Sequence, residues 1–353
     1  MDITFSKNEV DKRHFNSLRI NVKKSISKTP SSRIWFAQFK AIIFPVLYVL
    51  LYLISTMFYN NSAIYYAIHG LMGITMVLIF INLVHNAVHD AIFKNRQLNS
   101  IILYFFDLMG GNSYIWKKRH KFLHHRFQNI SGWDSDIEQA GLFKIYPQEN
   151  KTFIHHYQSI LIFIFYPLFL LNWLLIRDFK DFFIKNRIVS KVCKIPPLEY
   201  LKLFLFKLFF VFYIFIIPVS NGVSVLNSLG ALFFMLVIAG TFALLVLLTP
   251  HVNSINKFPI PDKKGKLTSS WFQHQFETTN DITLNNWVSR NIMANFNLHL
   301  AHHFFPKLNS CYAPEVTEEI KKYARLNNLD YREISLADAF KSHYNLIKQN
   351  AKN

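Results

Sequence analysis

The chain contains little cysteine and has long stretches without charge. Cys193 and Cys311 are the only cysteines among its 353 residues, which argues against a disulfide framework and against a metal site built from thiolates. No Asp, Glu, Lys or Arg occurs between residues 41 and 84 or between residues 208 and 250. Because one membrane-crossing helix needs roughly 20 apolar residues, each uncharged block has room for two helices and a tight turn.

The remaining sequence is strongly basic. The formal net charge is +18 although 51% of the residues are hydrophobic, a combination typical of an integral membrane protein with a basic cytoplasmic face. The charge is spread over loops and no nucleic-acid-binding motif accompanies it, so we expect no nucleic-acid partner. The first residues lack an apolar core, so we expect no cleavable signal peptide. The inner membrane of a bacterium is the expected location.

Two short turns divide the uncharged blocks into helical hairpins. They are "YNNS" at residues 59–62 and "SNG" at residues 220–222, and they predict spans at about 39–59, 63–84, 199–218 and 225–249. The apolar stretch 159–176 is also long enough to cross. If it did, the basic loop 177–194 would lie opposite the basic N-terminal segment. The positive-inside rule therefore places this stretch in the interface and both termini in the cytoplasm.

Histidines recur at helical spacing in three short motifs: "HNAVHD" from residue 85, "HKFLHH" from residue 120 and "HLAHH" from residue 299. We call them the first, second and third histidine boxes. On a helix such spacings place imidazoles on one face, where they can present several nitrogens to a metal ion. Adding the histidine after the fourth span, the candidate ligands are His85, His89, His120, His124, His125, His251, His299, His302 and His303.

The number of candidate ligands implies two metal ions, because one ion usually accepts four to six ligands. Imidazole suits iron, zinc and copper. Iron is preferred, since an all-imidazole pair at a membrane surface is best suited to oxygen chemistry on a lipid.

Several polar residues near the boxes are candidates for contacts with the ligand rings. Metal-bound imidazole usually donates its second N–H to a carboxylate or carbonyl, and Asp90, Asp134 and Asp136 follow the first two boxes. The alternative for Asp134 and Asp136 is that they cap a helix or face solvent. His274 has no clustered partner, so we expect it to hydrogen-bond a ligand or to be structural. Asn297 precedes the third box and either contacts a ligand or forms a turn.

The three boxes, their order and the hairpins between them resemble the membrane fatty acid desaturases over nearly the whole chain. The segments "WKKRHKFLHHRFQNISGWDSDI" and "NLHLAHHFFP" are similar to the bacterial acyl-CoA or acyl-lipid branch, which is related to front-end and linoleoyl-CoA enzymes. In this resemblance His251 matches the extra ligand after the last span. Front-end members often carry glutamine at the position of His299.

The resemblance implies an all-α integral membrane protein with four transmembrane helices in two hairpins, interfacial helices and a cytoplasmic helical cap that holds a di-metal site. Residues 1–353 would form one desaturase domain, with the histidine-box regions 85–158 and 251–353 in the cytoplasm. It implies two iron ions, replaced by zinc in some overexpressed material, and O2 as co-substrate. The product would be a cis double bond in the acyl chain of an acyl-CoA or acyl-lipid. No "HPGG" haem-binding signature occurs, so electrons are expected from a separate ferredoxin or cytochrome b5.

Two alternatives remain open. A hydroxylase or ketolase of the same superfamily would carry the same boxes and differ only in its product. A histidine-rich metal transporter belongs to another class. It is disfavoured because ionisable residues inside the spans, which mark ion pathways, are not expected here.

Overall fold

The computed structural model describes residues 2–137 and 141–352 and is mainly helical. The first α-helices are α1 (Glu9–Ile26), α2 (Ser32–Thr56), α3 (Ser62–Ile79), α4 (His85–Val88), α5 (Arg96–Ile102), α6 (Tyr104–Leu108), α7 (Ser113–Arg119) and α8 (His125–Phe127). The middle of the chain forms α9 (Gln158–Phe165), α10 (Phe169–Asn172), α11 (Asp178–Phe183), α12 (Pro197–Val211), α13 (Ile217–Ser220) and α14 (Val225–Leu247). The last α-helices are α15 (Trp271–Thr278), α16 (Trp287–Asn291), α17 (His299–Phe304), α18 (Ala313–Leu326) and α19 (Leu336–Lys352). Two short parallel strands, β1 (Asp281–Ile282) and β2 (Glu333–Ile334), pair with each other.

Several helical segments have a wider or a tighter turn than the α-helix. The π-helical segments are Phe80–Val84, His120–His124, Trp173–Arg177 and Phe212–Ile216. The 3-10 segments are Phe153–Tyr157, Ile188–Lys191 and Ser310–Tyr312. The first two π segments lie directly before or within the first and second histidine boxes. Single π turns inside helices are frequent at functional sites.

Within the described residues, four straight helical segments are long and apolar enough to cross a membrane, which confirms the predicted number of spans. Their bounds are Ser32–Thr56, Ser62–Val88, Pro197–Ser220 and Val225–Leu247. The first begins well before the predicted residue 39, because Arg33 and Lys40 continue the helix. Long cationic side chains can extend their charged ends away from an apolar environment. The length of the uncharged block therefore underestimates the length of such a helix.

The stretch that we predicted to lie in the interface forms a bent helix pair. Its halves, Phe153–Phe165 and Phe169–Phe183, meet at an angle of 96°. At 1.5 Å per residue, neither half is long enough to cross roughly 30 Å of hydrocarbon. A straight fifth span is therefore absent from this part of the described chain.

The chain divides into two compact units. Unit 1 comprises Met1–Trp35, His120–Leu161 and Leu247–Asn353, and so contains the second and third boxes together with His251. Unit 2 comprises Phe36–Arg119 and Ile162–Val246 and contains the first box and nearly all of the four candidate spans.

The hydrophobic core of unit 1 supports the third box. Leu18 of α1, Phe272 of α15, Phe304 of α17 and Ile320 of α18 are buried in one cluster. The Phe272 and Phe304 rings lie 5.2 Å apart. Burial of one such side chain stabilises a fold by about 1.5–3 kcal/mol, so this packing holds the short helix α17 between longer ones.

Buried ion pairs occur in unit 2. Lys207 lies inside the candidate span Pro197–Ser220, and its ammonium group is 2.8 Å from the carboxylate of Asp178. Arg119 and Asp181 form a second buried pair at 2.6 Å. The expectation that the spans contain no ionisable residue is therefore wrong. An intramembrane charge persists where a partner of opposite sign neutralises it.

Helices α3 and α14 approach each other closely at Gly73. A Cβ atom at this position would collide with the backbone carbonyl oxygen of Met235. At Gly70, one turn earlier, a Cβ would instead meet the Phe234 ring at 3.0 Å. A backbone carbonyl in a helix cannot move aside, whereas a ring can rotate.

We therefore expect Gly73→Ala to lower the melting temperature of the detergent-purified protein, by an amount corresponding to about 1–3 kcal/mol of overpacking. Gly70→Ala is the matched control, and its decrease in melting temperature should be less than half as large because the Phe234 side chain can adjust. Equal melting temperatures for the two variants would contradict the close approach of α3 and α14.

Candidate metal centre

Four buried histidines of unit 1 bring their ring nitrogens together. One nitrogen from each of His124, His251, His299 and His303 lies within 4.8 Å of all the others. The Nε2 atoms of His251 and His303 are 3.0 Å apart. Ligand nitrogens at 2.0–2.1 Å from a tetrahedral ion would be roughly 3.3 Å from each other. The geometry of this four-histidine group therefore fits one metal ion.

A second group in unit 1 is formed by His120, His125 and His302. The Nε2 atom of His125 is 3.1 Å from Nε2 of His120 and 3.0 Å from Nε2 of His302. We call it the three-histidine group. The rings of His125 and His303 are 4.6 Å apart between centroids, so the two groups adjoin.

The π turn at His120–His124 explains how one box serves both groups. In a π turn the backbone hydrogen bond joins residues five apart, so His120 and His125 come to the same side. His124 then belongs to the other group. The sequence spacing had placed all three rings on one face of an α-helix, and in this detail the structure differs.

The outward-facing nitrogens of three rings are bound to oxygen. Nδ1 of His120 is 2.8 Å from Asp136, and Nδ1 of His124 is 3.0 Å from Asp134. Nδ1 of His251 is 3.1 Å from the carbonyl oxygen of Thr278. A proton on Nδ1 that is donated to oxygen leaves the Nε2 lone pair directed into the group. Asp134 and Asp136 thus contact two of the candidate ligand rings, and the role of these rings as metal ligands stays a prediction.

The surroundings favour neutral rings at His251 and His303 of the four-histidine group, and act in the opposite direction at His124. Burial, followed by the nearby His124, lowers the pKa of His251 to about 3. Burial and the neighbouring rings also lower the pKa of His303 well below its usual value. Burial alone would lower the pKa of His124, but Asp134 and Asp136 outweigh it and raise that pKa. A metal ion at this group can take the place of the proton that these carboxylates favour on His124.

Sequence reasoning missed the glutamine pair that contacts His303. The side-chain amide of Gln128 lies 3.1 Å from Nδ1 of His303 and is also hydrogen-bonded to Gln275. Both glutamines are completely buried. Their amides therefore hold the His303 ring from the side opposite to Nε2.

A set of buried asparagines holds the backbone at His251. Asn256 donates to the His251 carbonyl at 3.0 Å and to the side-chain oxygen of Asn280 at 2.8 Å. Asn129 donates to the same His251 carbonyl at 3.1 Å, and Asn253 donates to Asn280 at 2.6 Å. The signal that could have revealed them is the presence of asparagines in "HVNSIN" and "TTND", immediately beside apolar segments.

Asp281 holds the start of the third box. Its carboxylate accepts hydrogen bonds from the Leu300 backbone N–H and from the Tyr331 hydroxyl, each at 2.8 Å. Asp281 is completely buried, and burial raises its pKa to about 6 although these donors act in the opposite direction. Because Leu300 follows His299 directly, this carboxylate sets the position from which α17 begins.

The first box lies in unit 2. His85 and His89 are both buried, and their ring centroids are 5.6 Å apart. The His85 ring packs near Phe80 and Trp116, at 6.3 and 6.5 Å. Asp90, which follows the box, is half-buried and has a positive φ of 60°, so the helix ends there.

The last two candidates lie beside the box segments. His274 is completely buried and packs against the Phe5 ring at 5.2 Å, and burial lowers its pKa to about 4. Within the described chain it belongs to neither group. Asn297 donates to the carbonyls of Ile282 and Leu284 at 3.1 and 2.8 Å, so its amide ties the segment before α17 to the end of β1.

Comparison with known proteins identifies the family. The model of the fatty acid desaturase family matches residues 61–335, and the chain belongs to this family. An acyl-lipid (8-3)-desaturase from Physcomitrium patens is 26% identical, covering 74% of this chain and 55% of that protein. An sn-1 linoleoyl-lipid 6-desaturase from Synechocystis sp. is also 26% identical, covering 74% of this chain and 73% of the relative. A Delta(5) fatty acid desaturase A from Dictyostelium discoideum is 24% identical, covering 94% of this chain and 74% of that relative. The matched part thus spans between about half and three quarters of these relatives.

We expect Asp281→Asn to weaken metal binding. The neutral amide lacks the negative charge of the carboxylate and therefore accepts a weaker hydrogen bond from the Leu300 backbone N–H. Changes to groups that position metal ligands typically cost 10–100-fold in metal affinity, and we expect a loss of about tenfold here. The measurement is the metal retained per chain during titration with a chelator, read by elemental analysis.

Asp262→Asn is the matched control, since Asp262 accepts hydrogen bonds from Lys264 and Lys266 in an exposed turn. Melting temperatures of both variants separate loss of metal from loss of fold. Unchanged chelator resistance in Asp281→Asn would show that this carboxylate does not position the third box.

Proposed function

We propose that the protein is an O2-dependent fatty acyl desaturase that introduces a cis double bond into a lipid acyl chain. The observation that carries this proposal is the pair of adjoining imidazole groups, whose ring nitrogens converge in a largely buried part of unit 1. Family membership supports it. The relatives from Physcomitrium patens and Synechocystis sp. are named for acyl-lipid and linoleoyl-lipid substrates, which favours a lipid-bound acyl chain over acyl-CoA.

In this proposal the nine histidines of the three boxes and position 251 hold two iron ions. One ion is assigned to the four-histidine group and the other to the three-histidine group, with His85 and His89 of the first box assigned to the second ion from the box pattern. Imidazole donors suit iron, zinc and copper alike. When bound, an iron pair supplies the oxygen chemistry that removes hydrogen atoms from an unactivated methylene pair.

The chain itself contributes orientation and exclusion of water. Asp134 and Asp136 hold protons at Nδ1 of His124 and His120, so that Nε2 of each ring stays available. All four histidines of the four-histidine group are at most 4% exposed, which limits access of water to it. Positioning of the reacting methylene pair against such a centre is the main task left to the protein.

The electron balance requires a partner. Removal of two hydrogen atoms from the acyl chain supplies two electrons, whereas reduction of O2 to two water molecules consumes four. The other two electrons, with two protons, must come from outside the substrate. We assign their delivery to a separate ferredoxin or cytochrome b5.

Expression in a host that lacks the activity, followed by mass analysis of its lipids, tests the function. We expect a new unsaturated acyl chain, its loss in His302→Ala at matched protein level, and partial activity in His299→Gln because glutamine can coordinate weakly. The exposed His156 provides the control, and His156→Ala should keep full activity.

The same analysis distinguishes the alternatives. An oxygenated product would support a hydroxylase or ketolase. Metal uptake into proteoliposomes without lipid oxidation would support a transporter. Full activity in a folded His302→Ala protein would contradict the assignment of the three-histidine group to the catalytic metal centre.

We further propose that the histidine boxes and both termini face the cytoplasm of a bacterial inner membrane. Cysteine tags at Asn61 and Gly222, in the turns of the two hairpins, should then react with an impermeant reagent added outside whole cells. Tags at Lys185 and at the C-terminus should react only after lysis. External labelling at Lys185 would mean that the bent pair crosses the membrane and would contradict this topology.

A further inference from the structure

A cavity of about 590 Å³ opens in unit 1 between α1 and the segment that follows the third box. Its walls are largely apolar and include Phe15, Val22, Trp271 and Phe305. The Phe15 ring lies 5.1 Å from the Trp271 ring and 5.7 Å from the Phe305 ring. The cavity is therefore a preformed space held by aromatic packing.

The same cavity reaches both imidazole groups. His125 of the three-histidine group and His303 of the four-histidine group both line it. An occupant of the cavity thus contacts a ring from each group without crossing any further layer of protein. Electrons that arrive there would enter either group through one imidazole.

The charged residues that line the cavity are all cationic. They are Arg19 and Lys23 on α1 and Lys307 after the third box, and all three are exposed. Among the described residues that line the cavity, none is acidic. A set of like charges around an apolar concavity produces a positive potential that attracts an acidic partner.

The outer side of α1 indicates that this partner approaches through water. Lys12, Arg13, Asn16 and Lys24 are exposed on it, as are the cavity residues Arg19 and Lys23. These polar residues outnumber the exposed apolar side chains of α1, Val10 and Ile20. A helix surface of this composition is suited to solvent rather than to hydrocarbon. The mouth of the cavity is thus bordered by a charged, hydrated helix.

We propose that this cavity and its cationic rim are the docking site of an acidic one-electron carrier protein, which passes electrons to the metal centre through His125 or His303. The inference rests on the proposed function, whose electron balance requires two electrons per double bond from outside. An apolar centre with a charged rim is the usual anatomy of a protein interface, and electron-transfer encounters are among the smallest of these, often below about 1,200 Å². Complementary charge mainly accelerates the encounter, as a carrier that must bind and leave twice per turnover requires.

The test uses full-length, iron-loaded protein in lipid nanodiscs, with a reduced plant-type ferredoxin as the acidic carrier. Lys23→Glu/Lys307→Glu should weaken ferredoxin binding, measured by fluorescence anisotropy, and slow ferredoxin-driven product formation, each by about tenfold at low ionic strength. The difference should shrink in high salt, which screens the charges. Product formed in a single turnover, after anaerobic reduction with dithionite, removal of its excess and addition of O2, should change less than twofold, because this small reductant needs no docking surface.

Lys341→Glu/Lys348→Glu is the matched control, because both lysines are exposed on α19 and the net charge changes equally. It should leave ferredoxin binding and both measures of product formation unchanged. If the Lys307 change prevents folding, Arg19→Glu/Lys23→Glu takes its place, since both residues lie on the exposed side of α1.

The outcomes separate the two proposals. Equal losses with dithionite and with ferredoxin would mean that the cavity binds the lipid, and would overturn the docking assignment. Equal slowing by the rim and control variants would mean that net charge alone matters, which also overturns it. Absence of any double bond in the unaltered protein with either reductant would instead contradict the desaturase function itself.

Discussion

Two imidazole nitrogens that face each other across about 3 Å repel through their lone pairs unless a cation or a shared proton lies between them. The structure contains this arrangement repeatedly, at His251 and His303, at His120 and His125, and at His125 and His302. Protonation is not a general solution, because burial holds the pKa values of His251 and His303 far below neutrality. At each contact, either one neutral ring donates its N–H to the other or a bound cation lies between them, and this constraint governs much of the surrounding structure.

Each ring must also be held from its far side, or it would rotate away from its neighbours. The means differ from ring to ring: carboxylates for His120 and His124, a backbone carbonyl for His251 and a glutamine amide for His303. These partners are buried polar groups, which are costly unless they are hydrogen-bonded themselves. Asp134 meets this condition by accepting from the backbone N–H groups of residues 129 and 136 at 2.9 and 3.1 Å. The polar shell is therefore a connected network rather than a set of independent contacts.

The sequence was sufficient for the parts of this arrangement that are local. Uncharged blocks predicted four spans, and the position of Asp134 and Asp136 after the second box predicted their contacts with its rings. The grouping of the histidines was not predictable from spacing, because the π turn at His120–His124 changes which rings share a side. Non-local contacts left still less signal. Gln128 and His303 are 175 positions apart, and Asp281 reaches Leu300 across 19 positions. The partner of Lys207 was not predictable for a similar reason, since Asp178 lies in another helix.

These non-local contacts would give bound metal ions a structural role beside the chemical one. His124 comes from the segment 120–161 of unit 1, whereas His251, His299 and His303 come from the segment that begins at residue 247. An ion bound in the four-histidine group would therefore link two distant segments, and the free energy of its binding would also be free energy of folding. Without the ion, the opposed lone pairs would favour separation of the same segments. In unit 2, the close helix contact at Gly73 and the ion pair between Lys207 and Asp178 involve no imidazole, so neither depends on a metal ion. Metal occupancy is thus expected to govern the order of the histidine-box segments of unit 1 more than the packing within the spans.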